Sequence, residues 1–191
     1  MPTLGSVNLT IDFTVPPGPI VERQPRPSVV PIVSHGVMWS NLIDRAWLFG
    51  GKSEADSQLK NTLWRFEPGE SHGQWTCLDT GLNVSDGRPS NGAGCNVPDL
   101  QTGYYLGGMI VSDDAVLSGA KFLHTLTVFN MGTETLSSLE VPDFVPVVNQ
   151  SLVFLNTGDK DGLLVALGGY TEKNGSLAVV SYGLFAYGRQ H

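Results

Sequence analysis

Ala46-Trp47-Leu48-Phe49-Gly50-Gly51 is a short β-type run that stops on two glycines. The phrase returns as Tyr104-Tyr105-Leu106-Gly107-Gly108 and as Val165-Ala166-Leu167-Gly168-Gly169, which places the first glycines 57 and 61 residues apart. Past a loop, the first copy continues as Asn61-Thr62-Leu63-Trp64-Arg65-Phe66 and then Trp75-Thr76-Cys77-Leu78. The second continues as Leu123-His124-Thr125-Leu126-Thr127-Val128-Phe129 and then Thr135-Leu136-Ser137-Ser138-Leu139. The third adds one further run, 179–187, and stops. Self-similarity of this kind marks a repeat architecture. A glycine pair closing an inner strand lets the backbone bend sharply or take φ > 0 where sheets crowd together. Trp64, Phe66 and Trp75 are the aromatic residues expected to fill the space between neighbouring sheets, and Phe129 is the aromatic end of the matching strand in the second copy.

Working outward, the same texture covers the chain. Its 23 Gly and 12 Pro in 191 residues exceed the roughly 12% of average usage. They are spread between short runs rich in Val, Leu, Phe, Tyr, Trp or Thr, at 9–13, 45–49, 62–66, 104–106, 123–129, 152–155 and 163–167. No segment sustains an apolar i, i+3, i+4, i+7 stripe, and only 53–60 could form a turn of helix. The expected class is all-β. Hydrophobic residues at 41% with 15% charged describe a globular chain of one domain or a little more. The apolar runs fall short of the ~18–20 residues that cross a bilayer. A net charge of −7 argues against nucleic acid, whose phosphates need clustered Lys and Arg. The opening MPTLGSVNLTIDF shows no secretory signal pattern.

The Gly-Gly repeat resembles the kelch repeat, the four-stranded blade of a β-propeller, over roughly residues 37–191. Phrases such as Gly92-Ala93-Gly94-Cys95 before the second copy are similar to kelch-like proteins of fungi. Leu136 stands where that family usually has Trp, and the repeat spacing exceeds the roughly 50 residues of kelch. The resemblance implies a partial propeller of about three blades, at 37–81, 82–142 and 143–191, the last incomplete. Residues 1–15 read as the outer strand of a preceding blade, and the proline-rich 16–36 as a stiff connection. A closed propeller has about four or more blades, so the chain is expected to be part of a larger propeller or an arc that closes on another copy.

Candidate chemistry is sparse. His35, His72, His124 and His191 form no H-x-x-x-H or H-E-x-x-H arrangement, and each falls in a different repeat or connection. His124 is expected inside an alternating strand. Fungal kelch-type propellers include copper oxidases of the galactose oxidase kind, which use a Tyr cross-linked to Cys, a second Tyr and two His. Neither Cys77 nor Cys95 has an assigned Tyr partner in the sequence. No G-x-S-x-G elbow is present, and Gly50-Gly51-Lys52-Ser53 lacks the upstream glycine of a phosphate loop. The carboxylates Glu54, Asp56, Asp113, Asp114, Asp159 and Asp161 read as solvated loop residues. No catalytic, metal or cofactor residue is assigned, and no cofactor is expected.

Four sequons, at Asn8, Asn83, Asn149 and Asn174, are acceptors for N-glycosylation. They favour an extracellular or membrane-anchored setting for the full-length protein over a cytoplasmic one. There Cys77 and Cys95 could pair, while buried thiols fit equally well. The leading functional expectation is a non-catalytic protein-interaction or scaffolding module. Its candidate surface is the loops 52–60, 109–120 and 170–176, and exposed blade edges invite self-association. The alternatives are a fragment of a propeller enzyme of the galactose oxidase-like copper-radical class, or a cell-surface adhesion protein.

Overall fold

The computed structural model describes residues 3–7, 21–25, 27–53, 63–69, 73–80, 88–110, 120–141, 143–158, 161–174, 176–180 and 185–188, with 3–7, 21–25, 161 and 185–188 described by backbone alone. Among these residues every regular element is a β-strand except one 3-10 turn, Pro98–Leu100. The chain is all-β, and every strand pair is antiparallel.

Strands β1 (Thr3–Val7) and β2 (Val21–Pro25) pair in a two-stranded sheet, so part of the proline-rich stretch is itself a strand. The first four-stranded sheet is a meander of β3 (Val37–Ser40), β4 (Ala46–Phe49), β5 (Leu63–Glu67) and β6 (Gln74–Leu78). The second begins with β7 (Ala93–Val97) and β8 (Thr102–Leu106). It then makes a side excursion through the pair β9 (Met109–Ile110) and β10 (Lys121–Phe122), and resumes with β11 (Thr125–Asn130) and β12 (Thr135–Glu140). The third repeats the plan. β13 (Ser151–Gly158) and β14 (Asp161–Leu167) lead to a side hairpin, β15 (Tyr170–Lys173) and β16 (Ser176–Val179), and then to β17 (Phe185–Gly188).

The runs at 45–49, 62–66, 104–106, 123–129, 152–155 and 163–167 fall on β4, β5, β8, β11, β13 and β14. The run 9–13 and most of the helical turn at 53–60 lie outside the described residues. The expected loop at 170–176 is a hairpin instead. Asn174 takes φ 54° at its tip, and Asn-Gly is the two-residue turn that matches strand twist.

Two cores hold the three sheets face to face. Trp39, Trp47, Phe49 and Leu63 of the first sheet pack on Tyr105, Phe129 and Met131 of the second. On its other face the second sheet presents Ala93, Val97, Tyr104, Leu106 and Leu126 to Leu152, Leu164 and Ala166 of the third. Phe129 of the second sheet fills the space between it and the first. Trp64, Phe66 and Trp75 do not lie between the first and second sheets: cross-strand pairing puts Trp64 with Leu48 and Cys77, on the face turned away from the second sheet. There Phe66 and Trp75 form their own ring contact at 5.0 Å.

The leading strands run close together. β7 neighbours both β3 and β13. Gly94 has no room for a Cβ, which would strike the Val37 side chain, so the residue at this approach must be glycine.

Candidate interaction surface

Each Gly-Gly pair sits at the same place in its sheet, at the end of the second strand. All six glycines, Gly50, Gly51, Gly107, Gly108, Gly168 and Gly169, have φ between 64° and 95°, a region that L-residues avoid. The residue after each pair closes an isolated bridge to the segment ahead of its own sheet: Lys52 with Ser34, Met109 with Ser90, and Tyr170 with Val148. From these bridges the chain leaves the sheet and later re-enters as the third strand. The scaffold at the exit is constant, while the segment that follows differs each time in length and sequence. Of the expected loop surface, Lys52 and Ser53, Met109, Ile110 and Ala120, and 170–174 with Ser176 are described.

Backbone bonds tie each sheet to the next through two series of contacts. In the first, residues in left-handed conformation ahead of each sheet, His35 (φ 59°), Asn91 (φ 59°) and Asn149 (φ 55°), form a ladder. The Asn91 N–H donates to the His35 carbonyl at 3.0 Å, and the Asn149 N–H donates to the Asn91 carbonyl at 2.7 Å. Side chains reinforce the second rung, where Asn91 Nδ2 donates to Asn149 Oδ1 at 3.0 Å. The second series runs the other way. The Gly51 N–H donates to the Pro89 carbonyl at 2.8 Å, and the Gly108 N–H to the Val147 carbonyl at 3.0 Å. Neither series is legible from spacing within one repeat, because each bond joins two repeats.

The first and second sheets share further directional contacts. Trp39 Nε1 donates to the Tyr104 carbonyl at 3.2 Å. The Asn96 side chain accepts from the Ser40 N–H at 3.1 Å and donates to the Ser40 carbonyl at 2.9 Å, acting as a short strand partner. Glu134, at φ 56° in the turn between β11 and β12, accepts from Trp47 Nε1 at 3.2 Å and from Arg65 at 2.8 Å. Arg45 and Arg65 also reach Glu67, at 3.3 and 3.2 Å. Two cations and two anions thus bridge the sheets at the end remote from the glycine pairs, and a local charge network of this kind serves cohesion.

The remaining candidates are scattered. His35 is exposed on the ladder. His124 precedes β11 rather than lying within it, and its Nδ1 stands 3.1 Å from the Phe144 carbonyl, which requires the proton on Nδ1. His72 and His191, Glu54, Asp56, Asp113, Asp114 and Asp159, and the sequons at Asn8 and Asn83 lie outside the described residues, and Asp161 is described by backbone alone. Among the described residues no group of three or more His, Cys, Asp and Glu side chains comes together.

Cys77 and Cys95 are not joined by a disulfide. Cys77 faces away from the second sheet, while Cys95 packs toward the third, directly across from Tyr104. Burial raises the Cys95 thiol pKa, and a hydrogen bond with the Phe154 backbone opposes that shift. Burial likewise pushes the Tyr105 phenol well above its ordinary range, opposed by the Gly92 N–H that donates to its oxygen at 2.9 Å. Asn149 and Asn174 are both exposed, the first on the ladder and the second at a hairpin tip.

No family model matches the chain, and no curated protein matches it. A solved structure titled "Structure of YjhT" aligns with 75% of this chain at 12% identity and a TM-score of 0.50. The match spans 36% of that structure's chain, about a third of its length. At that identity the likeness concerns the fold alone. No helix among the described residues is long and apolar enough to cross a membrane.

Proposed function

We propose that this chain is a non-catalytic protein-interaction or scaffolding module, built on kelch-type repeats whose three sheets are blades of a partial β-propeller. The observation that carries the reading is the constant exit point. Three glycine pairs of the same geometry release three segments of different length and sequence from a packed stack of sheets. Binding segments placed on a rigid scaffold can vary without disturbing the core. The β15–β16 hairpin shows what such a segment offers, with Tyr170, Leu177 and Val179 exposed beside Glu172 and Lys173. An aromatic and aliphatic surface edged by both charges suits a protein partner. Asn174 at the tip supports an extracellular, glycosylated setting, and the exposed strand edges supply a route to self-association.

The test is affinity capture with the whole chain, repeated after residues 171–178 are replaced by Gly and Ser and, separately, after Met109, Ile110, Lys121 and Phe122 are replaced. A captured protein whose retention drops about tenfold or more in either variant, with unchanged near-ultraviolet circular dichroism, supports the reading. Capture indifferent to both replacements rejects it. Stoichiometric copper in the purified protein would point instead to the galactose oxidase-like class, and N-glycans combined with cell-surface retention to an adhesion protein.

A further inference from the structure

Asn91-Gly92 and Asn174-Gly175 are the two Asn-Gly pairs of the chain. Such a pair carries a reaction of its own. The backbone nitrogen of the glycine attacks Cγ of the asparagine, the bond from Cγ to Nδ2 breaks, and the amide proton leaves with Nδ2 as ammonia. Water then opens the resulting cyclic imide at either carbonyl, giving aspartate or isoaspartate. Glycine favours the attack because it has no Cβ to shield its nitrogen or to restrict the backbone.

At 91–92 the fold calls for both residues. Asn91 takes φ 59°, a left-handed conformation that Asn tolerates better than most residues. A Cβ on Gly92 would strike the Tyr105 ring, so no larger residue fits. Close packing thus installs the reactive pair where the leading segments of all three repeats meet.

The same neighbours hold the reaction off. The Gly92 N–H donates to the Tyr105 hydroxyl at 2.9 Å, which occupies the nucleophile. Asn91 Nδ2 donates to Asn149 Oδ1 at 3.0 Å, which tethers the carboxamide. Ring closure also turns the Asn91 backbone, and that backbone is fixed on both sides. Its N–H donates to the His35 carbonyl at 3.0 Å, and its carbonyl accepts from the Asn149 N–H at 2.7 Å. His35 belongs to the first repeat, Tyr105 to the second and Asn149 to the third. Asn174 lies exposed at a hairpin tip, outside these contacts.

We propose that Asn91 is a deamidation site sealed by the contacts between the three sheets, and that opening them commits the chain to an irreversible change. Isoaspartate at this position adds a carbon to the main chain and draws the ladder carbonyl away from the Asn149 N–H. The sheets then no longer close in their original register. Deamidation here depends on the inter-sheet bonds alone and is independent of any recruited protein.

Ageing the whole chain in mildly alkaline buffer, followed by peptide mapping for isoaspartate, tests this with Asn174 as the internal reference. In the folded chain Asn174 should convert, and Asn91 should lag about tenfold or more behind it, since Asn91 reacts only from an opened state. In concentrated urea the two rates should converge. Tyr105→Phe removes the acceptor of the Gly92 N–H. Asn149→Gly removes the side-chain tether and keeps a residue suited to φ 55°. Each should speed conversion at Asn91 about two- to tenfold, the worth of one hydrogen bond, and leave Asn174 unchanged. On refolding from urea, chains modified at Asn91 should be depleted from the compact fraction, while chains modified at Asn174 alone are not. Equal rates at the two sites in the folded chain overturn the proposal. So does a lag that persists in urea, or a rate at Asn91 indifferent to both variants. Full recovery of chains modified at Asn91 in the compact fraction overturns the irreversible step.

Discussion

The second sheet has two covered faces, and they are built by different means. Toward the first sheet it is joined by stacked rings and aimed polar bonds. Trp39 lies between Phe49 and Phe129 at centroid distances of 5.2 and 5.1 Å, and Trp39, Trp47, Asn96, Arg65 and Glu134 all bond across the gap. Toward the third sheet it is joined mostly by aliphatic volume, with Leu106, Leu126, Leu152, Leu164 and Ala166 interdigitated and one ring pair, Tyr104 with Phe154. Stacked indoles with satisfied N–H groups fix a single relative position of two sheets. Aliphatic contact rewards close packing but tolerates adjustment. Both junctions carry aimed polar bonds, but the core of the first is set by ring geometry and a charge network and the core of the second by aliphatic volume.

The largest effect should come from Trp39→Ala. It empties the space of a fully buried indole and removes the bond from its Nε1 to the Tyr104 carbonyl, at a cost of ~3–5 kcal/mol in urea denaturation. A loss below ~1 kcal/mol would mean that the aromatic junction is loosely packed. Leu164→Ala at the other junction should cost slightly less, ~2–4 kcal/mol, all of it from cavity and lost transfer. Its effect should be indifferent to salt.

Glu134→Ala separates the two junctions by charge. It leaves Arg65 and the Trp47 indole without their shared acceptor and should cost ~1–3 kcal/mol. That cost should shrink between low salt and molar salt, because the network is partly exposed. Equal salt dependence in Glu134→Ala and Leu164→Ala would erase the distinction.

The smallest effect at neutral pH belongs to Tyr105→Phe, whose signature is alkaline. The buried phenol holds its proton in the folded chain, while the unfolded chain ionises near pH ~10. Above that value the unfolded state binds fewer protons, so stability is fully present below pH ~10 and falls as pH rises beyond it. Tyr105→Phe should flatten this alkaline decline, as read from denaturation midpoints across pH 8–11. Unchanged curvature in the variant would show that Tyr105 is not the group responsible.

What could be read from the sequence follows the same division. Strands rich in large apolar residues, such as Ala46–Phe49 and Thr125–Asn130, were legible because burial demands those residues. The leading strand Ala93–Val97 was not, since close approach to Val37 requires Gly94 and leaves little β-type signal. Strand Val21–Pro25 was hidden by the prolines around it and by Pro25 at its end, which a two-stranded sheet tolerates. The glycine pairs were visible as a motif. Their left-handed companions His35, Asn91 and Asn149 were not, because no shared residue type marks the ladder. Asn174-Gly175 did carry a hairpin signal, so the β15–β16 excursion was within reach of sequence reasoning.

The excursion between β9 and β10 leaves the second sheet after β8 and returns at β11, two strands that are themselves paired along five positions. The covalent path between Ile110 and Lys121 is therefore not what keeps the two halves of the sheet together. A protease that cut there would produce two fragments still zipped by the β8–β11 ladder and by both cores. The protein can be severed at that point without being dismantled, and the two fragments, made separately, should find each other again.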